Sequence, residues 1–209
     1  MYSDTQKTGI RKTLGILLGI IMVMLSLIFL NYVTRDVALS TEQAAKLGYI
    51  RFEQPRNITV PRLVTEQDEQ ILPTHFQGQW DLLYFGFTAC PDICPTTLAV
   101  LNQALSTVEI PPRVHLVSVD PEQDTPAQLA RYLAGFNPAF LGVTGSHDQI
   151  TQLATQLNVA FGKVPGPELG SYTVDHTGSI VVLDKTGRYA GFIKAPHQPG
   201  QLQQIIAGL

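Results

Sequence analysis

The 209-residue chain predicts an α/β fold, a mixed central sheet flanked by helices, behind an N-terminal transmembrane helix. Three observations carry this expectation. An uncharged apolar run fills Thr13–Val33. Beyond it, apolar runs of strand length alternate with segments of helical periodicity. The two cysteines of the chain, Cys90 and Cys94, stand at a strand-to-helix junction, which is where open α/β folds carry their sites.

At ~1.5 Å per residue, Thr13–Val33 is long enough to cross ~30 Å of hydrocarbon as one helix. Lys7, Arg11 and Lys12 precede it and only Arg35 follows closely, so the N-terminus is expected to stay cytoplasmic and the remainder to be exported, in a bacterium to the periplasm. A cleaved signal peptide is the competing reading, with Ala38 and Ser40 as small residues near a cleavage point. The run exceeds an h-region of roughly 7 to 15 residues, which favours a retained anchor. Residues 1–34 are therefore expected to be a cytoplasmic tip and anchor. Residues 35–60 read as a tether leading to a first strand or hairpin between Pro55 and Pro61, and 61–209 as one domain.

Within that domain, Asp81–Phe87 is an apolar strand that ends at Thr88, just before Cys90. Leu98, Leu101, Leu105 and Val108 recur at helical spacing, predicting a helix from Pro95 or Thr96 to Val108. Val114–Val119 follows as a buried strand. Thr125-Pro126 is a helix start, because proline at the first helical position loses no hydrogen bond, and Leu129, Tyr132 and Leu133 form its apolar face. Ser146 with Gln149 is a capping box opening a helix through Ile150, Leu153 and Leu157, whose end leads to Val159 and Phe161. Ser179–Leu183 and Tyr189–Ile193, joined by the turn residues Asp184–Gly187, predict an antiparallel hairpin. A last helix starts near Pro199. Strand, helix, strand, helix, hairpin, helix is the order of a thioredoxin-like architecture.

From Arg35 onward there are eleven Lys or Arg against sixteen Asp or Glu, a net of -5, and no basic run. A nucleic-acid partner is thereby excluded. Two cysteines are too few for a disulfide scaffold, so they act as a pair or singly. In Cys90-Pro91-Asp92-Ile93-Cys94-Pro95 they stand four apart, and one helical turn puts both sulfurs on one face. A helix N-terminus favours thiolate, the form needed both for metal ligation and for disulfide exchange. Inert buried cysteines or a static disulfide are the bland alternative. Two soft thiolates suit Cu(I), and one added imidazole admits Cu(II), whereas structural zinc asks for four protein ligands. Among five histidines, His176 in Asp175-His176-Thr177-Gly178 is the best third ligand, in a loop before a core strand. A lone loop histidine is, however, more often solvated or hydrogen-bonded than ligating. His115 is expected in a strand, His147 in the first turn of a helix, and His75 and His197 in loops beside prolines.

With these residues in place, the chain resembles the Sco/SenC family, copper-binding proteins of respiratory oxidase assembly, over roughly Leu63–Leu209. Four ordered blocks carry the resemblance. Phe85-Gly86-Phe87-Thr88-Ala89-Cys90-Pro91-Asp92-Ile93-Cys94-Pro95-Thr96 is similar to the family's metal loop and Ser118–Pro126 to its second signature. Leu141–Gly145 and Tyr172–Thr177 continue in order. The resemblance implies that Cys90, Cys94 and His176 hold one copper ion, with Asp120 as an accessory. A turn role for Asp120 and a capping role for Asp124 are the structural alternatives. Glu66–Gln70 lacks the glycine turn often found in the family, and Lys163–Gly170 is short and rich in Pro and Gly.

The implied function is a metallochaperone that delivers copper to the dinuclear copper centre of cytochrome c oxidase. Its partners are the copper-bearing oxidase subunit and other copper chaperones or thiol reductases. A thiol-disulfide reductase using Cys90 and Cys94 is the alternative, and it has no need of His176. A peroxiredoxin-like peroxidase is remote, since Pro91 stands three before Cys94 where that family places Thr or Ser.

Overall fold

The structure, a computed structural model, describes residues 4–33, 39–166 and 171–209. It forms two compact units, Met1–Val37 and Ala38–Leu209. The first unit holds helix α1, Asp4–Val33. Its side chains are described for residues 14–30, and among the described residues no helix is long and apolar enough to cross a membrane. Within that window apolar side chains point outward all round, Leu14, Ile16, Met22 and Phe29 each being more than half exposed.

The second unit opens with helix α2 (Thr41–Lys46) and strand β1 (Tyr49–Arg56). Part of the expected tether is therefore ordered, and the first strand begins before Pro55 rather than after it. The strand tolerates Pro55 because β1 is a sheet edge, and its register with the neighbouring strand breaks between Arg51 and Arg56. Along the chain follow β2 (Val64–Thr65), β3 (Asp81–Gly86), α3 (Ile93–Leu105), β4 (Arg113–Ser118), α4 (Pro126–Leu133), β5 (Leu141–Thr144) and α5 (His147–Gln156). The series ends with β6 (Phe161–Pro165), β7 (Tyr172–His176), β8 (Ile180–Leu183), β9 (Tyr189–Ile193) and α6 (Pro199–Ala207).

Seven strands form one mixed sheet in the order β1-β9-β8-β3-β4-β5-β2, and β6 and β7 form a separate two-stranded ribbon. Strand β3 lies in the middle, parallel to β4 and antiparallel to β8. All six of its residues are buried, as a near-continuous apolar run covered on both faces must be. Helix α3 packs on α6, and α4 on β5. The thioredoxin-like order expected from the sequence is present, with α2, β2, β5 and the β6–β7 ribbon as additions.

The helix starts follow the caps read from the sequence. The Thr125 hydroxyl accepts the Gln128 amide at 3.3 Å with Pro126 at the first helical position, and Ser146 and Gln149 close a complete capping box. The turn at Glu66–Gln70 is made without glycine. Asp68 takes the left-handed conformation, φ 63°, which a short polar side chain tolerates, and the Thr65 hydroxyl accepts the Gln67 and Glu69 amides.

At the beginning of β3, far from the cysteines, the buried Asp81 carboxylate receives both Nε and Nη2 of Arg113, at 2.7 and 2.8 Å, and lies 2.8 Å from His115 Nε2. His115 is thus a strand residue whose Nε2 meets a carboxylate, while its buried Nδ1 has no hydrogen-bond partner among the described residues. His75, expected in a loop, sits in a single 3-10 turn, Pro73–Phe76, with its ring centroid 5.4 Å from that of His115.

Candidate metal centre

Strand β3 aims the chain at the carboxyl edge of the sheet, and the cysteine loop follows at once. Helix α3 starts at Ile93, earlier than Pro95, so Cys94 lies in its first turn and Cys90 in the loop before it. The earlier start costs nothing at Pro95, because the first helical amides have no partner within the helix. Cys94 is fully buried and Cys90 is 8% exposed. The Cys94 amide approaches Cys90 Sγ at 3.4 Å, and both thiols are free. Gly86 makes room for this turn: a Cβ there would stand 2.9 Å from Cys94 Sγ.

His176 reaches the same place from the other direction. It is the last residue of β7, not a loop residue, and pairs with Phe161 across the ribbon. Its Nε2 is 3.5 Å from Cys94 Sγ. Sγ of Cys90, Sγ of Cys94 and one ring nitrogen of His176 all lie within 4.8 Å of one another. The imidazole is wedged edge-on between Tyr84 and Phe87, at centroid distances of 5.9 and 6.2 Å. On its far side, Nδ1 lies 3.4 Å from the Thr177 carbonyl. A proton held on Nδ1 leaves the Nε2 lone pair facing the sulfurs, the arrangement a metal-ligating imidazole uses.

Burial holds His176 below the ordinary histidine pKa, against the opposing pull of the Thr177 carbonyl and Asp175. The ring is therefore neutral at neutral pH, as a ligand requires. Cys94 departs from the sequence expectation of a lowered thiol pKa. Burial, then the neighbouring Cys90 thiol, pushes it up to about 12. The helix start is too weak to offset desolvation of a fully enclosed sulfur. Tyr84, whose hydroxyl lies 3.9 Å from Cys94 Sγ, is likewise held protonated by burial and by that thiol. A cation entering the site supplies the charge that the protein withholds. Two sulfurs and one imidazole are a donor set suited to copper and short of the four that structural zinc takes.

Asp120 is 1% exposed and lies outside this trio. Its carboxylate accepts the Tyr172 hydroxyl at 3.0 and 3.1 Å, and its own amide donates to Ser118 Oγ at 3.1 Å. Asp124 is not the helix cap, which is Thr125. Its carboxylate instead takes the Thr88 amide and hydroxyl at 3.1 and 2.6 Å and the Ser118 hydroxyl at 2.7 Å, tying the start of the cysteine loop to the end of β4. Tyr172 and Ser118 are the residues of this network that sequence reasoning did not single out. Their only signal was membership in two of the four motif blocks. The other histidines stay outside the site: His197 donates to the Gly178 carbonyl at 2.8 Å, and His147 packs edge-on to Phe161.

The SCO1/SenC family profile matches residues 55–209. The mitochondrial SCO2 homolog of Bos taurus is 42% identical over 63% of this chain and 51% of its own length. The mitochondrial SCO1 homolog of Homo sapiens is 32% identical over 79% of this chain and 58% of its own. The chain thus spans little more than half the length of these relatives. Among solved structures, copper-bound ScoI of Arabidopsis thaliana is 29% identical with a TM-score of 0.66, covering 71% of this chain and 96% of that one. A profile that begins within β1 and runs through the cysteine turn, the Asp120 segment and the His176 strand to the last residue establishes that the chain belongs to the SCO1/SenC family.

Proposed function

We propose that the chain is a membrane-anchored copper metallochaperone that holds Cu(I) or Cu(II) through Cys90, Cys94 and His176. In this reading it passes the ion to the dinuclear copper centre of cytochrome c oxidase during assembly. The observation that carries the reading is the convergence of two sulfurs and one imidazole nitrogen within 4.8 Å, in a family whose plant member has been crystallised with copper.

The chain's own residues divide the work. Cys94 and His176 are held by packing, whereas Cys90 sits in the loop with Pro91, Asp92 and Ile93 exposed beside it. That loop is the face a recipient's ligands would meet. Three protein donors leave one position for an incoming ligand, so the ion can be shared before it is surrendered. Transfer returns a proton to Cys94, which its high pKa favours.

The anchor rests on the uncharged run Thr13–Val33, the helical backbone of Asp4–Val33 and the outward apolar side chains of residues 14–30. An apolar all-round helix finds its solvent in lipid. The basic residues before it orient the copper domain, taken as residues 61–209, to the extracytoplasmic side.

Thiol-disulfide reduction of the recipient is the second reading, favoured by two free cysteines in one turn. Copper titration of the reduced chain under anaerobic conditions, with a parallel reductase assay, separates the two. Copper metallochaperone action predicts one tightly held ion that His176→Ala weakens. Unchanged affinity in that variant, with reductase activity retained, would favour the reductase.

A further inference from the structure

We infer that Tyr172 is a positioning residue: through its hydrogen bond to Asp120 it fixes the strand that presents His176 to the two cysteines. The inference rests on the three-ligand reading above and adds to it the element that sets the third ligand in place.

The β6–β7 ribbon belongs to a sheet of its own. Main-chain pairing with the seven-stranded sheet therefore does not set its register against the cysteine loop, and side chains must. On β7, residues two apart share a face. Tyr172, Val174 and His176 form the inward face, while Thr173 and Asp175 are exposed. Val174 is nearly enclosed but apolar, so it holds the face down without fixing position along the strand.

Tyr172 supplies direction. Its hydroxyl donates to the Asp120 carboxylate at 3.0 and 3.1 Å and accepts Gln123 Nε2 at 2.7 Å. Asp120 is itself fixed, because its amide donates to Ser118 Oγ, Ser118 donates to Asp124, and Asp124 binds the Thr88 amide and hydroxyl two residues before Cys90. One unbroken run of hydrogen bonds, Thr88–Asp124–Ser118–Asp120–Tyr172, joins the cysteine loop to the histidine strand. Lys163, on the partner strand, lies over the Tyr172 ring at 4.3 Å, stands 4.0 Å from the Asp120 carboxylate and pairs with Glu122 at 2.6 Å. That pair is exposed and adds little; the buried Asp120 contact is the directional one.

The test uses four reduced chains: wild type, Tyr172→Phe, His176→Ala and the double variant. In competitive copper titration, Tyr172→Phe is expected to weaken affinity roughly tenfold, the usual scale for a group that orients a ligand. In the His176→Ala background the same change should shift affinity by less than about twofold, since the ligand it orients is gone. In the metal-free chain, Tyr172→Phe should speed exchange of the Thr177 amide, which donates to the Ala160 carbonyl, and broaden the His176 ring signals. An equal loss of affinity in both backgrounds would overturn the inference, as would wild-type affinity and exchange in Tyr172→Phe. Unchanged affinity in His176→Ala alone would instead refute the three-ligand reading, and the metal-free exchange would still decide whether the hydroxyl holds the strand.

Discussion

A Cβ at Gly86 would stand 2.9 Å from the Sγ of Cys94, with Leu116 Cδ1 at 3.1 Å and the Tyr84 ring at 3.2 Å. The last residue of β3 is glycine because a ligand sulfur occupies the space a side chain would take. Gly86→Ala must push Cys94 or repack its neighbours. The expected cost is about 1–3 kcal/mol of stability together with weaker copper retention. Denaturant unfolding and competitive titration of one preparation measure both, and wild-type values in the two would remove the steric role assigned to Gly86.

The opposite end of β3 should separate stability from metal binding. Arg113→Ala leaves the buried Asp81 carboxylate with His115 alone, and removing one partner of a buried charge costs on the order of 3 kcal/mol. Copper affinity should stay within about twofold of wild type, since sites far apart without shared partners act independently. A large affinity loss at preserved fold would show that the two ends of the strand are coupled.

Stability should fall on both sides of neutrality. Burial is the leading cause that lowers the pKa of His75, His176 and His197 below the ordinary histidine value of 6.5. A folded pKa below the unfolded one means that the unfolded chain binds protons more readily. Their contribution is thus complete above pH 6.5 and is lost as pH falls through the folded values. Cys94 has the opposite sign. Raised from 9.0 to about 12, it contributes fully below pH 9, and that contribution is lost as pH rises from 9 to about 12. Thermal unfolding of the metal-free chain across pH reads both limbs, and His197→Gln should flatten the acid one.

Copper uptake must displace the Cys94 proton at any pH below about 12. Apparent affinity should therefore rise with pH, by about tenfold per unit for that one proton, between pH 6 and 8. Titrations at constant ionic strength test this. A pH-independent affinity would mean that Cys94 does not enter as thiolate.

Much of this was legible in the sequence because it is local. The Thr125-Pro126 start, the Ser146/Gln149 box and the β8–β9 hairpin each have chemistry confined to a few residues. Other features depend on partners distant in the chain. β5 is four residues long and carries Gly142, too short and too broken to read as a strand, and it forms by pairing with β4. The β6–β7 ribbon looked like a Pro/Gly-rich loop because Pro165 and Gly166 occupy its tip, and its pairing becomes visible only through the register of Phe161 with His176. The metal loop was read from Cys90, Cys94 and their prolines. The raised Cys94 pKa was not, since it comes from burial of the sulfur in the folded core and from the neighbouring Cys90 thiol. The role of Asp120 depended on Tyr172, 52 positions away.

One ion held by Cys90, Cys94 and His176 together has a distinct coordination signature. X-ray absorption of the copper-loaded reduced chain, beside its His176→Ala variant, reads that signature. Two sulfur ligands and one imidazole nitrogen are expected in the wild type, with the nitrogen lost in the variant. A sulfur-only spectrum in the wild type, or an unchanged nitrogen signal in the variant, would contradict three-ligand binding.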